Sequence, residues 1–170
     1  SGMQDRAMAF LQYAVTYGFM GLVTLAACWT VDRAGRRPLW MVASALMILV
    51  TALTGAVFHF QLRGWPVLVV IILCTVPHGL ALGPLPWLMI SEIFPNQIRG
   101  VATSVAVISL WLAYFILVFT FPIIEKHFGD AIAFWGYSVI CVLGFLFIWK
   151  KLPETKGKSL EDIESEFMKR

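Results

Sequence analysis

Five long apolar blocks, separated by short polar punctuation, organise the chain. No Asp, Glu, Lys or Arg occurs in residues 7–31, 38–62, 64–91, 100–124 or 131–149, which are windows of 25, 25, 28, 25 and 19 residues. A helix that crosses a bilayer needs about 20 apolar residues. A charge at mid-membrane costs about 2.5–3.5 kcal/mol on insertion scales. The pattern therefore predicts five transmembrane helices, at approximately 8–30, 39–60, 66–90, 101–122 and 132–149. The alternative is five buried helices of a large soluble protein, but buried helices rarely need charge-free runs of this length. The first block is too long for a secretory signal and lacks a basic leader.

The punctuation predicts the turns. Arg63–Gly64–Trp65–Pro66 reads as one, with Trp65 as an interface anchor. Glu125 to Asp130 reads as another, and Pro153 stops the last helix. Beyond it, Ser159 and Asp162 resemble a capping box. Leu160, Ile163 and Phe167 follow at helical spacing, which predicts a short amphipathic helix in the tail. Residues 1–149 are thus expected to form the transmembrane part and residues 150–170 a tail.

The third block is internally broken. "TVPHGLALGPLPWLM" sets Pro77, Gly79, Gly83, Pro84 and Pro86 inside one predicted span. Each proline removes a backbone donor and kinks the helix. Broken backbone at membrane depth survives where protein buries it or where it lines a watery cavity. Interrupted helices also mark transport sites. A kink made only for packing would use the same residues, because Gly and Pro are enriched in membrane helices generally.

Composition agrees with the pattern. Of 170 residues, 59% are hydrophobic and 14% charged, against about 25% charged in soluble domains; the mean hydropathy is +0.80. Five spans put the termini on opposite sides. One side collects Arg33, Arg36, Arg37, Arg99, Lys150, Lys151, Lys156, Lys158, Lys169 and Arg170, and the other holds Arg6, Arg63 and Lys126. The positive-inside rule makes the first side cytoplasmic, with the amino terminus outside. The expected location is the cytoplasmic membrane, as an integral multi-pass protein. Cys28, Cys74 and Cys141 fall in three different blocks, without metal-ligand spacing and in odd number, and read as packing residues.

Three separated motifs carry a family resemblance. "VDRAGRRPL" joins spans one and two, "GPLPWLMISEIFPNQIRG" ends span three, and "PETKGKSLEDIE" follows span five. Together they resemble the sugar porter family of the major facilitator superfamily, with bacterial xylose–proton symporters most alike. The D-R-x-G-R-R loop is moderately specific; the P-E-T-K-G tail together with the S-E-x-F-P-x-x-x-R-G segment is highly specific. The resemblance implies an all-α integral membrane fold, with these five helices equivalent to the eighth to twelfth of twelve. It implies a sugar transported by alternating access, as facilitated diffusion or proton symport. It also implies partners: a sugar, the lipid bilayer and the amino-terminal half of the same transporter, which this chain lacks. No metal, no nucleic acid and no cofactor beyond a coupling proton are expected.

The resemblance implies roles for particular residues. Trp87 matches the tryptophan that borders the sugar; an indole packs on sugar C–H groups and donates one hydrogen bond. Trp111 matches a second tryptophan near the cavity. Gln12 matches a glutamine that faces the sugar. Gly83 belongs to the broken G-P-L-P segment. His78 stands where relatives place a cavity-facing aromatic, and an ionisable group inside a span is a functional candidate in its own right. A satisfied structural histidine is the plain alternative, and a lone tryptophan elsewhere would be read as a packing residue. His59, near the end of span two, reads as interfacial. Leu110 and Tyr114 stand where related transporters place polar amides, which leaves the substrate open. Asp32, Arg33, Arg36, Arg37, Glu92, Arg99 and Glu154 match a cytoplasmic charge latch that pairs the two halves in one state. The positive-inside rule alone explains Lys150 and Lys151, but not Glu92, because acids contribute little to it.

Other functions compare less well. A polyol transporter of inositol type shares these motifs, and a truncated regulatory membrane protein would share the helices. A membrane enzyme needs convergent catalytic groups at depth, which the charge-free windows exclude.

Overall fold

The computed structural model describes residues 2–94 and 97–152; within its helices the side chains of residues 2–7, 9, 32, 91 and 92 are left aside. Its elements are α1 (Gly2–Ala34), α2 (Arg36–His59), α3 (Trp65–Pro77), a π-helical turn (His78–Leu82), α4 (Pro84–Ile93), α5 (Arg99–Phe128) and α6 (Asp130–Lys151). Among the described residues, five stretches are long and apolar enough to cross a membrane, namely Phe10–Val31, Arg36–His59, Trp65–Ile90, Arg99–Phe128 and Asp130–Lys151. Glu154 and the expected tail helix lie outside the described residues, as does Pro95 of the loop after α4.

Glycine and proline set the boundaries. Gly35, Gly64 and Gly129 take positive φ of 94°, 77° and 86°, where a side chain would be strained. Phe94 leaves α4 in extended conformation at φ −89°, ψ 132°, and Leu152 leaves α6 at φ −80°, ψ 121°. Each precedes a proline in the sequence, and proline drives the residue before it out of the helical region. One expected turn differs. The stretch from Glu125 to Asp130 is helical as far as Phe128, and the reversal is confined to Gly129, whose N–H bonds the Glu125 carbonyl at 2.9 Å. Pro122 is accommodated inside α5. The other turn is shifted by two residues: Trp65 and Pro66 already begin α3, and Trp65 is exposed.

α2 is the central helix. It packs most extensively against α6 and next against α3. A buried hydroxyl of its own bonds within the helix, and one from α6 bonds across to it. Thr54 Oγ1 donates to the Val50 carbonyl at 2.8 Å, and Ser138 Oγ reaches across from α6 to the Ile48 carbonyl at 3.1 Å. Trp135 Nε1 donates to the Ala52 carbonyl at 3.2 Å, with its indole laid over Gly55, where any Cβ would collide with the ring. At the Arg-rich end, Val31, Leu39, Ala43, Ala81 and Leu85 form an apolar cluster that joins α1, α2, the π turn and α4. α5 is different: it packs on α6 and lightly on α4, and none of its residues is buried.

Candidate functional site

The third span is broken where its prolines and glycines predict. Pro84 has no N–H to donate back to Leu80, so the ladder cannot run through it as a regular α-helix. The chain widens into a π turn instead, with Gly83 N donating to the His78 carbonyl at 2.8 Å. Turns of this kind are frequent at functional sites. Gly79 lets the turn sit directly on α1: a Cβ there would lie 3.0 Å from the Met20 carbonyl oxygen and 3.1 Å from Thr24 Oγ1. Gly83 makes room for a side chain, because a Cβ there would lie 3.3 Å from His78 Nε2.

That arrangement brings His78 beside α1, where a cavity of about 580 Å³ opens. α1 contributes Gln12, Tyr13, Thr16, Tyr17 and Met20, and the facing wall holds Cys74, Thr75 and His78. Tyr13 and Tyr17 stack at 6.3 Å between ring centroids, one helical turn apart. The wall therefore alternates flat aromatic faces with hydroxyl, amide and imidazole groups. Such a surface suits a small polyhydroxylated molecule, whose C–H faces pack on rings and whose hydroxyls both donate and accept. A second cavity of about 540 Å³ adjoins it toward the end of the bundle where Arg63 and Asp130 lie, and shares Gln12, Leu68 and Ile71 with the first.

The structure thus brings together two of the expected site residues, Gln12 and His78, with Gly83 beneath the imidazole. It does not bring the tryptophans into this cavity. Trp87 lies on α4, 47% exposed, and Trp111 lies on the bare flank of α5, 55% exposed and edge-on to Tyr114 at 5.9 Å. Tyr13, Thr16, Tyr17 and Thr75 were missed from the sequence. Their signal was present: residues 12, 13, 16, 17 and 20 keep an i, i+4 spacing that puts them on one helical face.

The basic residues divide by partner. Arg37 Nη2 donates to the Trp149 carbonyl at 2.6 Å and so ties the start of α2 to the end of α6. Arg99 Nε donates to the Phe94 carbonyl at 3.1 Å and closes its own loop. Arg33 and Asp32 end α1, Arg36 begins α2, and Glu92 falls in the last turn of α4. Among the described residues, no three His, Cys, Asp or Glu side chains come together as a metal site.

The chain matches known proteins along nearly all its length. The family described as "Sugar (and other) transporter" matches residues 1–167. The D-xylose-proton symporter of Escherichia coli K12 is 37% identical over 165 residues, covering 93% of this chain and 33% of the symporter. The arabinose-proton symporter of Bacillus subtilis is 39% identical, covering 96% of this chain and 37% of that protein. The facilitated trehalose transporter Tret1 of Anopheles gambiae is 38% identical over 88% of this chain and 20% of its own length. Among solved structures, the inward open xylose transporter XylE from E. coli superposes with a TM-score of 0.85 at 36% identity, covering 94% of this chain and 36% of that one. The chain therefore spans about a third or less of the length of these relatives. Five apolar helices in this arrangement, around a broken third span, and a family match from residue 1 to 167 place the chain in the sugar porter family of the major facilitator superfamily.

Proposed function

We propose that the chain supplies the eighth to twelfth helices of a twelve-helix sugar porter, which moves a monosaccharide across the cytoplasmic membrane by alternating access. The observation that carries this reading is the π turn at His78–Leu82, which opens beside a cavity lined by Gln12, Tyr13, Thr16, Tyr17, Thr75 and His78. A pentose is the favoured cargo, because the xylose and arabinose symporters match 93–96% of the chain. Transport is passive or coupled to a proton whose acceptor lies on the other half. Trp87 and Trp111, exposed on α4 and α5, close the site from the side the amino-terminal half covers. The Arg-rich end is cytoplasmic, and there Asp32, Arg33, Arg36, Arg37, Glu92, Arg99 and Glu154 latch onto the other half. Arg37 and Arg99 are held in place for that role by the Trp149 and Phe94 carbonyls.

The test is uptake by the full-length parent in liposomes, with D-xylose, arabinose and trehalose as substrates. Gln12→Ala and Trp87→Ala should each weaken sugar affinity about fivefold, the worth of one neutral hydrogen bond or a comparable contact. Wild-type affinity for all three sugars in both variants would remove these residues from the site. Absence of uptake of any sugar by the intact parent would remove the function.

A further inference from the structure

At the end of α2 far from Arg36 and Arg37 lies the cavity of about 540 Å³ that adjoins the one beside the π turn. Small-molecule pockets commonly enclose about 300–1,000 Å³. Phe58, Gln61 and Arg63 reach its wall from the end of α2 and the loop after it, Asp130 from the first turn of α6, and Gln12 from α1. Among the described residues, nothing gives Gln12, Gln61, Arg63 or Asp130 a side-chain hydrogen bond or ion pair. Asp130 begins α6 without capping it. The bonding capacity of all four groups is therefore left to whatever occupies the cavity.

The loop that carries Gln61 and Arg63 is pinned. Gln61 N donates to the Phe58 carbonyl at 3.0 Å, and Leu62 N donates to the Val57 carbonyl at 3.1 Å. Gln61 is thereby held at φ 52°, which is uncommon for a residue with a side chain. Backbone held in this way clusters at ligand clamps.

The chemistry of the set narrows the ligand. Asp130 and Arg63 carry opposite charges, so neither a free anion nor a free cation meets an uncompensated partner. A carboxylate accepts from two hydroxyls, a guanidinium donates a fork of N–H groups to hydroxyl oxygens, and each amide does both. Phe58, fixed by stacking on Phe134 at 5.3 Å, adds a ring for C–H faces. A neutral molecule with several neighbouring hydroxyls uses all of these groups, whereas an apolar one uses only the ring.

We propose that this cavity is a second sugar subsite, with Asp130, Arg63 and Gln61 on the sugar hydroxyls, and that Gln12, which both cavities share, is the step between the two. The inference rests on the sugar porter reading and adds a stage to it: a sugar is held at this end of the bundle before it passes Gln12 to the π turn.

The experiment is equilibrium dialysis of the full-length transporter in detergent against radiolabelled D-xylose and, separately, arabinose. Two sugars per transporter should bind at saturation. One would overturn the second subsite and leave the proposed function standing; none would overturn both. Asp130→Asn keeps the shape of the side chain and removes its charge, and should weaken one of the two sites at least tenfold while the other keeps wild-type affinity. Gln61→Gly removes the amide and suits the positive φ, so the unfolding midpoint should hold or rise while the same site weakens several-fold. Wild-type two-site binding in either variant would overturn the proposal, as would equal weakening of both sites.

Discussion

A Cβ on Gly79 would approach two atoms of α1, the Met20 carbonyl oxygen at 3.0 Å and Thr24 Oγ1 at 3.1 Å. Backbone oxygen cannot swing aside, so Gly79→Ala must push α1 away from the π turn. Overpacking of this kind costs about 1–3 kcal/mol, and thermal unfolding of the full-length parent in detergent should show it as a lowered midpoint. Gly83→Ala meets a different neighbour, the His78 imidazole at 3.3 Å with the His78 carbonyl oxygen at 3.1 Å. The carbonyl oxygen is as fixed as that of Met20, so this midpoint should fall too, but the imidazole must also be displaced, and the distinguishing result is a few-fold loss of sugar affinity, on the order of 1 kcal/mol. If Gly83→Ala binds sugar with wild-type affinity, His78 has no part in the site. Both glycines were visible in the sequence as breakers. What each one spares, helix contact or imidazole, depends on a neighbour 59 residues away for the first (Met20) and five away for the second (His78).

At the scale of elements, the break in the third span is the feature with mechanical consequence. Pro77 and Pro84 bracket it, and the Gly83-to-His78 bond at 2.8 Å takes the place of regular pairing. Pro84→Ala restores an N–H that can bond back four residues and lets α3 and α4 wind toward one straight helix. The expected outcome is an unchanged or raised unfolding midpoint with slower sugar counterflow. Counterflow at the wild-type rate would mean that the break serves packing alone. Most elements were legible because proline and glycine act locally: Phe94 and Leu152 turn extended for the residue that follows each. The extension of α5 through Pro122 to Phe128 was not legible. A proline in a membrane helix can end it or be absorbed, and the neighbours decide. The cavity was half legible. His78 stood out as an ionisable group in an apolar run and Gln12 through the family resemblance, whereas Tyr13 and Tyr17 look like ordinary membrane aromatics until α3 is seen opposite them.

For the whole molecule, the uneven burial matters most. α2 is held on several sides, whereas α5 presents a 30-residue apolar helix with no buried position. That flank carries Trp111, and the neighbouring α4 carries Trp87 and, at its end, Glu92. The proposed latch belongs to this scale, since it exists only between halves. Glu92→Lys in the full-length parent should favour the inward-open state. A coupling of about 1–3 kcal/mol shifts such an equilibrium by roughly 5–150-fold, which cysteine accessibility measured from each side of the membrane can read. Identical accessibility in mutant and wild type would leave Glu92 without a latching role.

The pairing of α2 with α6 has a consequence for how the protein is made. The bonds that join them, from Trp135 to Ala52, Ser138 to Ile48 and Arg37 to Trp149, link residues 83, 90 and 112 positions apart. The second helix to be synthesised here receives its principal partner only when the fifth emerges. Until then Gly55 and the surrounding small residues of α2 offer an open seat in the lipid. A chain released at about residue 130 would keep four complete spans, yet lack its central clasp. Premature termination late in the chain should therefore expose the product to membrane proteases as fully as termination near its beginning.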